Sequence, residues 1–139
     1  MTRIDFYTHV DDKLKTACQL ISKAFERKLR VAVLTPDSQT TQAVDRMLWT
    51  QPAISFIPHC SAASAALQET PVVIDHVSAP LPHDDVLINL CVDRPEHFSR
   101  FQRLIEIVSQ DEQDKTAARE RYKFYRERGY EIRTHDMNR

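Results

Sequence analysis

Lys115, Arg119 and Lys123 stand four residues apart, with Tyr122 and Arg126 beside them. On a helix this spacing sets cations along one stripe, because side chains three and four apart are neighbours. Like charges at that distance cost an isolated helix about 0.2–0.5 kcal/mol per pair, partly offset by Glu120 and Glu127. Arginine presents a planar fork of donors that matches a carboxylate or a phosphate. A tyrosine beside it adds an apolar wall and a hydroxyl, and the small Ala117 and Ala118 leave room for a ligand or for close packing of the helix. The chemistry implied is capture of an anion, either a short acidic peptide or single-stranded nucleic acid whose bases stack on aromatics. A solvated charged face is the plainer alternative.

The charge distribution favours capture. Eight of the nineteen basic residues lie from Lys115 onward, against four of the twenty acids, so this end carries +4 while residues 1–114 carry −5. Such sorting usually reflects an anionic partner rather than a need of the fold. The overall net charge of −1 speaks against nucleic acid, since tracking phosphates normally takes an extended basic surface.

Other chemistries find less support. The chain has one glycine, Gly129, so neither a G-x-G-x-x-G turn nor a G-x-x-x-x-G-K-[ST] loop can be written. Cys18, Cys60 and Cys91 form no C-x-x-C pair and read as free thiols. The six histidines make no H-E-x-x-H pattern, and His83-Asp84-Asp85 reads as a polar turn before a strand. No metal, no cofactor and no catalytic site is expected. A second concentration is Trp49, Pro52, Phe56, Pro58 and His59, just past a helix. It is either core beneath a loop or a rigid apolar surface for a protein partner.

The elements that must position these residues follow from periodicity. Strands are expected at residues 4–8, 30–34, 71–75 and 85–90, with a short one near Phe56-Ile57. Helices are expected from Asp11-Asp12 to Lys28 and from 38 to 50. A further helix is expected from Pro95 to Val108, with Phe98, Phe101, Leu104, Ile105 and Val108 facing in, and a last one from 111 to 128. Gly129 suits the left-handed position after that last helix. Alternating strands and helices imply a single α/β domain over residues 1–139, with a mainly parallel sheet flanked by helices. No apolar run approaches the roughly 20 residues of a membrane span, and the first residues lead straight into a strand, so a cytoplasmic location is expected.

The same segments resemble the chi subunit family of bacterial DNA polymerase III, an accessory subunit of the clamp loader. The likeness begins at Phe6-Tyr7 and runs through Leu48-Trp49-x-x-Pro52-x-x-Ser55-Phe56-x-Pro58-His59 and the 85–90 strand. It is densest at Ala118-Arg119-Glu120-Arg121-Tyr122-Lys123-x-Tyr125-Arg126. The resemblance implies a non-catalytic, Rossmann-like domain without a phosphate-binding loop, and two protein interfaces. One would receive the acidic C-terminal tail of single-stranded DNA-binding protein, so that DNA is met only indirectly. There Arg119 would clamp the terminal carboxylate, Tyr122 and Val108 would wall an aromatic pocket, and Lys115, Lys123 and Arg126 would attract the acidic residues. The other would join the psi subunit through Trp49 and Phe56, supported by Pro52. Residues 61–68, which lack the glycines familiar there, and the last nine residues depart from the family pattern.

Overall fold

The computed structural model describes residues 2–50, 59–60, 71–75, 85–95 and 98–137, with only the backbone of Trp49, His59 and Cys60. Seven strands and three helices follow one another along them. β1 (Arg3–Val10) leads into α1 (Lys13–Glu26), and β2 (Val31–Leu34) into α2 (Ser38–Thr50). Then come β3 (His59–Cys60), β4 (Val72–Asp75), β5 (Val86–Asn89) and β6 (Arg103–Ser109). α3 (Glu112–Glu127) and β7 (Ile132–Asp136) complete the order. They form one sheet in the sequence β3-β4-β2-β5-β6-β1-β7, and every neighbouring pair is parallel. The α/β architecture with a parallel sheet is the Rossmann-like one expected.

Alternation along the strands sorts the core into two halves. Val31, Val33, Val72, Ile74, Val86, Ile88, Ile105 and Ile107 point to the side of α1 and α2, where Ala17, Cys18, Ile21, Val44 and Leu48 meet them. Ala32, Val73, Leu87, Leu104, Ile4 and Phe6 point the other way, to Ala118 and Tyr125 of α3. A sheet covered on both faces needs strands apolar at nearly every position, which explains the short Val/Ile/Leu runs.

The helix ends are set by named residues. Asp12 caps α1 by accepting from the backbone N–H of Leu14 and Lys15, and Asp111 caps α3 by accepting from that of Asp114. α3 closes in a Schellman motif, with Gly129 N–H to Arg126 C=O and Tyr130 N–H to Tyr125 C=O, and Gly129 at φ 82°. α1 closes the same way on Lys28, at φ 61°. A Cβ on Gly129 would meet nothing within 4 Å, so the cost of adding one is conformational only. Gly129→Ala is expected to lower stability by about 1 kcal/mol, seen as an earlier urea midpoint with an unchanged slope.

Two expectations are corrected. The helix expected over 95–108 is not formed by the described residues of that stretch, 95 and 98–108. Pro95 lies buried in a loop, Phe98–Arg100 is one turn of 3-10 helix, and Arg103–Ser109 is β6, between β5 and β1. Five consecutive residues, from Leu104 to Val108, are buried, as a strand with both faces covered requires. The chance spacing of Phe98, Phe101, Leu104, Ile105 and Val108 imitated a helical face. The second correction lies after Gly129, where no element was expected and β7 forms.

β7 is held to β1 by more than its ladder. Asp5, 1% exposed, takes His135 Nε2 at 3.0 Å and Arg103 Nε at 2.7 Å, and Tyr7 stacks on the His135 ring at 4.5 Å. Burial raises the affinity of Asp5 for a proton. The hydrogen bonds from His135 and Arg103, with the charges of Arg103 and Arg3, outweigh it and hold the carboxyl below its usual range.

Candidate functional site

α3 presents three faces to three environments. Ala118, Arg121 and Tyr125, at i, i+3 and i+7, are buried against the sheet. On one flank, Lys115, Arg119 and Tyr122 look across a groove toward β1 and β7. Its volume is about 340 Å³, with Val108 and Ala118 as an apolar floor, both about 95% buried. Phe6, Thr8 and His9 of β1 and Thr134 of β7 make the opposite wall. The ring of Tyr122 stands edge-on to Phe6 at 5.4 Å, which fixes its position while leaving it 36% exposed.

The rim is cationic and available. Arg119 is exposed and has no hydrogen bond or ion pair among the described residues. Lys115 Nζ reaches Glu112 Oε1 at 3.4 Å, an i,i+3 contact with a largely exposed carboxylate. Screening makes such a contact weak, so it does not tie up the ammonium group. A free guanidinium next to an aromatic wall and an apolar floor can hold a carboxylate and the ring beside it.

Of the residues expected at this site, Val108, Lys115, Arg119 and Tyr122 come together. Lys123 does not join them. Each four-residue step turns roughly 40° past a full circle, so by Lys123 the stripe has rounded the helix. Lys123 lines a separate cleft of about 550 Å³ on the other flank, with Val92, Asp93, Arg94 and Phe124. Arg126 is exposed and lines neither cleft. Trp49 sits in the last turn of α2, and its side chain, like Pro52 and Phe56, lies outside the described residues.

Arg121, counted above among the basic residues of this end, is an interior residue. It is 4% exposed, with Nη1 donating to Val92 C=O at 2.6 Å. Its Nε stands 3.2 Å from Glu106 Oε2, out of line for a hydrogen bond, so that contact is coulombic. Glu106, wholly buried, accepts from Tyr125 Oη at 2.7 Å and from Asn89 Nδ2 at 2.9 Å. Burial lifts the Glu106 carboxyl above its usual range, against the Arg121 charge and these hydrogen bonds.

The sequence reading gave Phe6, Thr8, His9 and Thr134 no role in the groove. Phe6 and Thr8 belonged to an expected strand, and their alternation was the signal that could have placed them. Thr134 lies on a polar strand with no apolar pattern. His9 sits where strand periodicity breaks, at φ 57°.

Among the described residues, the groove pairs no nucleophile with a base. Ser109 and His9 both line the groove, and His9 Nδ1 lies 3.0 Å from Asp136 Oδ1. The Ser109 hydroxyl, however, donates to Asp114 Oδ2 at 2.8 Å and makes no hydrogen bond to His9. Burial pushes the Cys18 and Cys91 thiols up to about 11, so neither is a thiolate near neutrality.

Comparison with known proteins decides the family. A family model described as DNA polymerase III chi subunit, HolC, matches residues 1–133. The chain belongs to the DNA polymerase III chi family. The "DNA polymerase III subunit chi" of Pseudomonas aeruginosa is 34% identical over 143 residues, covering 100% of this chain and 99% of that protein. The proteins of the same name from Haemophilus influenzae and Escherichia coli are 30% and 29% identical, over 87% and 84% of this chain. They are covered over 85% and 80% of their own lengths. In this chi-family chain, the run from Ala118 to Arg126 supplies groove residues and interior residues in turn.

Proposed function

We propose that this chain is a non-catalytic adaptor of the DNA polymerase III clamp-loader complex. It links that complex, through the psi subunit, to the acidic C-terminal tail of single-stranded DNA-binding protein during replication. The observation that carries the reading is the Arg119 guanidinium, unpaired among the described residues, standing beside Tyr122 above the apolar floor of Val108 and Ala118. A peptide ending in an aromatic residue fits this arrangement, with its ring between Tyr122 and the floor and its terminal carboxylate on Arg119. Lys115 supplies longer-range attraction for acidic residues further back. Family membership supports placement in the replication complex. Trp49, Pro52 and Phe56 are the proposed psi-facing surface, and psi is expected to co-purify with this chain at moderate salt.

The test is a titration with an acidic peptide that ends in an aromatic residue, once with a free C terminus and once amidated. Hydrogen bonds to a charged partner contribute about 1.5–3 kcal/mol, so amidation should weaken binding at least about tenfold. Equal affinities would remove the carboxylate clamp. Bare single-stranded DNA is expected not to bind at moderate salt. Binding as tight as that of the peptide would instead support a direct nucleic-acid-binding protein that uses the basic end of α3.

A further inference from the structure

β1 contains an irregularity near its end. Its pairing with β6 runs evenly from Arg3 to Tyr7, then shifts, and resumes with Val10 opposite Ser109. Ile4 and Phe6 face α3, yet Val10, an even number of residues further on, packs on the side of α1 and α2. The phase of the strand has flipped. The flip occurs at His9, whose φ of 57° is a left-handed conformation that costs a residue other than glycine about 1–2 kcal/mol. A bulge of this kind re-aims a side chain and increases local twist. Unbroken alternation would have sent His9 to the side of Asp5 and Tyr7; instead it lines the groove beside Lys115 and Arg119.

The imidazole is oriented as well as re-aimed. Nδ1 lies 3.0 Å from Asp136 Oδ1 on β7, so the ring is held with Nδ1–H donating to that carboxylate. Nε2 has no partner among the described residues, and the side chain is 43% exposed. When neutral, such a ring offers an acceptor at Nε2, which repels a carboxylate; when protonated, it offers a donor. Other charged groups near it among the described residues come from three elements. Asp136 comes from β7, and Lys115 and Arg119 come from α3. Asp11, two residues on, accepts from Gln110, while Asp114 behind Ser109 is paired with Lys13.

We propose that His9 is a further binding residue of this groove, a third cation that becomes available to an acidic peptide as pH falls. Held by Asp136 through Nδ1, it donates from Nε2 to a carboxylate of the bound peptide. Affinity is thereby coupled to the charge of the ring. This inference rests on the acidic-peptide reading of the groove.

The test is peptide affinity at about pH 8 and about pH 5.5, where peptide carboxylates remain ionised. It is measured for the unaltered chain, for His9→Asn and for Arg119→Ala. Asparagine tolerates the left-handed backbone and keeps a hydrogen-bonding side chain without the charge. The unaltered chain should bind about two- to fivefold tighter at the lower pH, the range of a half-exposed charge pair. His9→Asn should lose that gain and bind with the same affinity at both pH values. Following the His9 ring protons by NMR gives a second readout, in which peptide binding should move the His9 titration to higher pH. If Arg119→Ala weakens binding but His9→Asn keeps the full pH response, or the ring titration does not move, the role of His9 is overturned and the groove stands. If Arg119→Ala binds as well as the unaltered chain, the groove reading itself is overturned.

Discussion

Replacing Arg121 by alanine is expected to destabilise the fold by about 3–5 kcal/mol at neutral pH, read from urea denaturation. The cost does not come from a strong bond, since the Arg121–Glu106 contact at 3.2 Å is poorly aligned. It comes from what remains: a fully buried carboxylate with Tyr125 and Asn89 still donating to it and no opposing charge. The pH dependence separates this account from simple loss of packing. The Glu106 carboxyl already sits above its unfolded value because burial outweighs Arg121, and removing Arg121 raises it further. For a carboxyl so raised, the folded state binds the proton more readily. Its favourable contribution is complete below the unfolded value and fades as pH rises through the folded one. The deficit of Arg121→Ala should therefore shrink as pH falls from 7 toward the unfolded value. A deficit that stays constant would mean that cavity formation, not the stranded charge, sets the cost. Asp5 has the opposite sign, contributing above its unfolded value and losing that contribution as pH falls through its lowered one.

Arg119→Ala is the complementary experiment. Here stability should change by less than about 0.5 kcal/mol, since the side chain is exposed and makes no hydrogen bond or ion pair among the described residues. If the proposed complex forms, affinity for the acidic peptide should fall by more than about 2 kcal/mol, some thirtyfold, because truncation would remove a bidentate partner of its carboxylate. Lys115→Ala should cost about 1 kcal/mol or less, with the loss vanishing at high salt, as screening requires of a rim charge. Equal losses at the two positions would mean diffuse attraction rather than a clamp. Two arginines two residues apart thus yield separable phenotypes, one in folding and one in binding.

Much of the fold was legible because parallel strands under two helical layers announce themselves as short apolar runs. Residues 31–34, 72–75 and 86–89 fall within the runs read from composition, and α2 spans the residues expected. β6 was not legible, and the reason is Glu106. A charged residue inside an apolar run looks like the polar face of an amphipathic helix, unless one knows that an arginine from α3 meets it in the interior. β7 was hidden for another reason. It is an edge strand with a polar, mostly exposed pattern, and its place depends on Asp5 and Tyr7, distant in sequence. Helical spacing predicted that Arg119, Lys115 and Tyr122 share a flank, as they do. It failed for Lys123, where the drift of 3.6 residues per turn against a step of four carries the side chain to the other cleft.

Arg121 and Tyr125 have a consequence beyond the energy of their pairings. A helix lying on a sheet through small residues such as Ala118 has little to stop it rolling about its own axis. A roll of one residue, about 100°, would swing Arg119 away from the groove and Arg121 into water, with Glu106 left uncompensated. The interior pair thus sets the azimuth of α3, and the direction in which Arg119 points is decided beneath the surface that displays it.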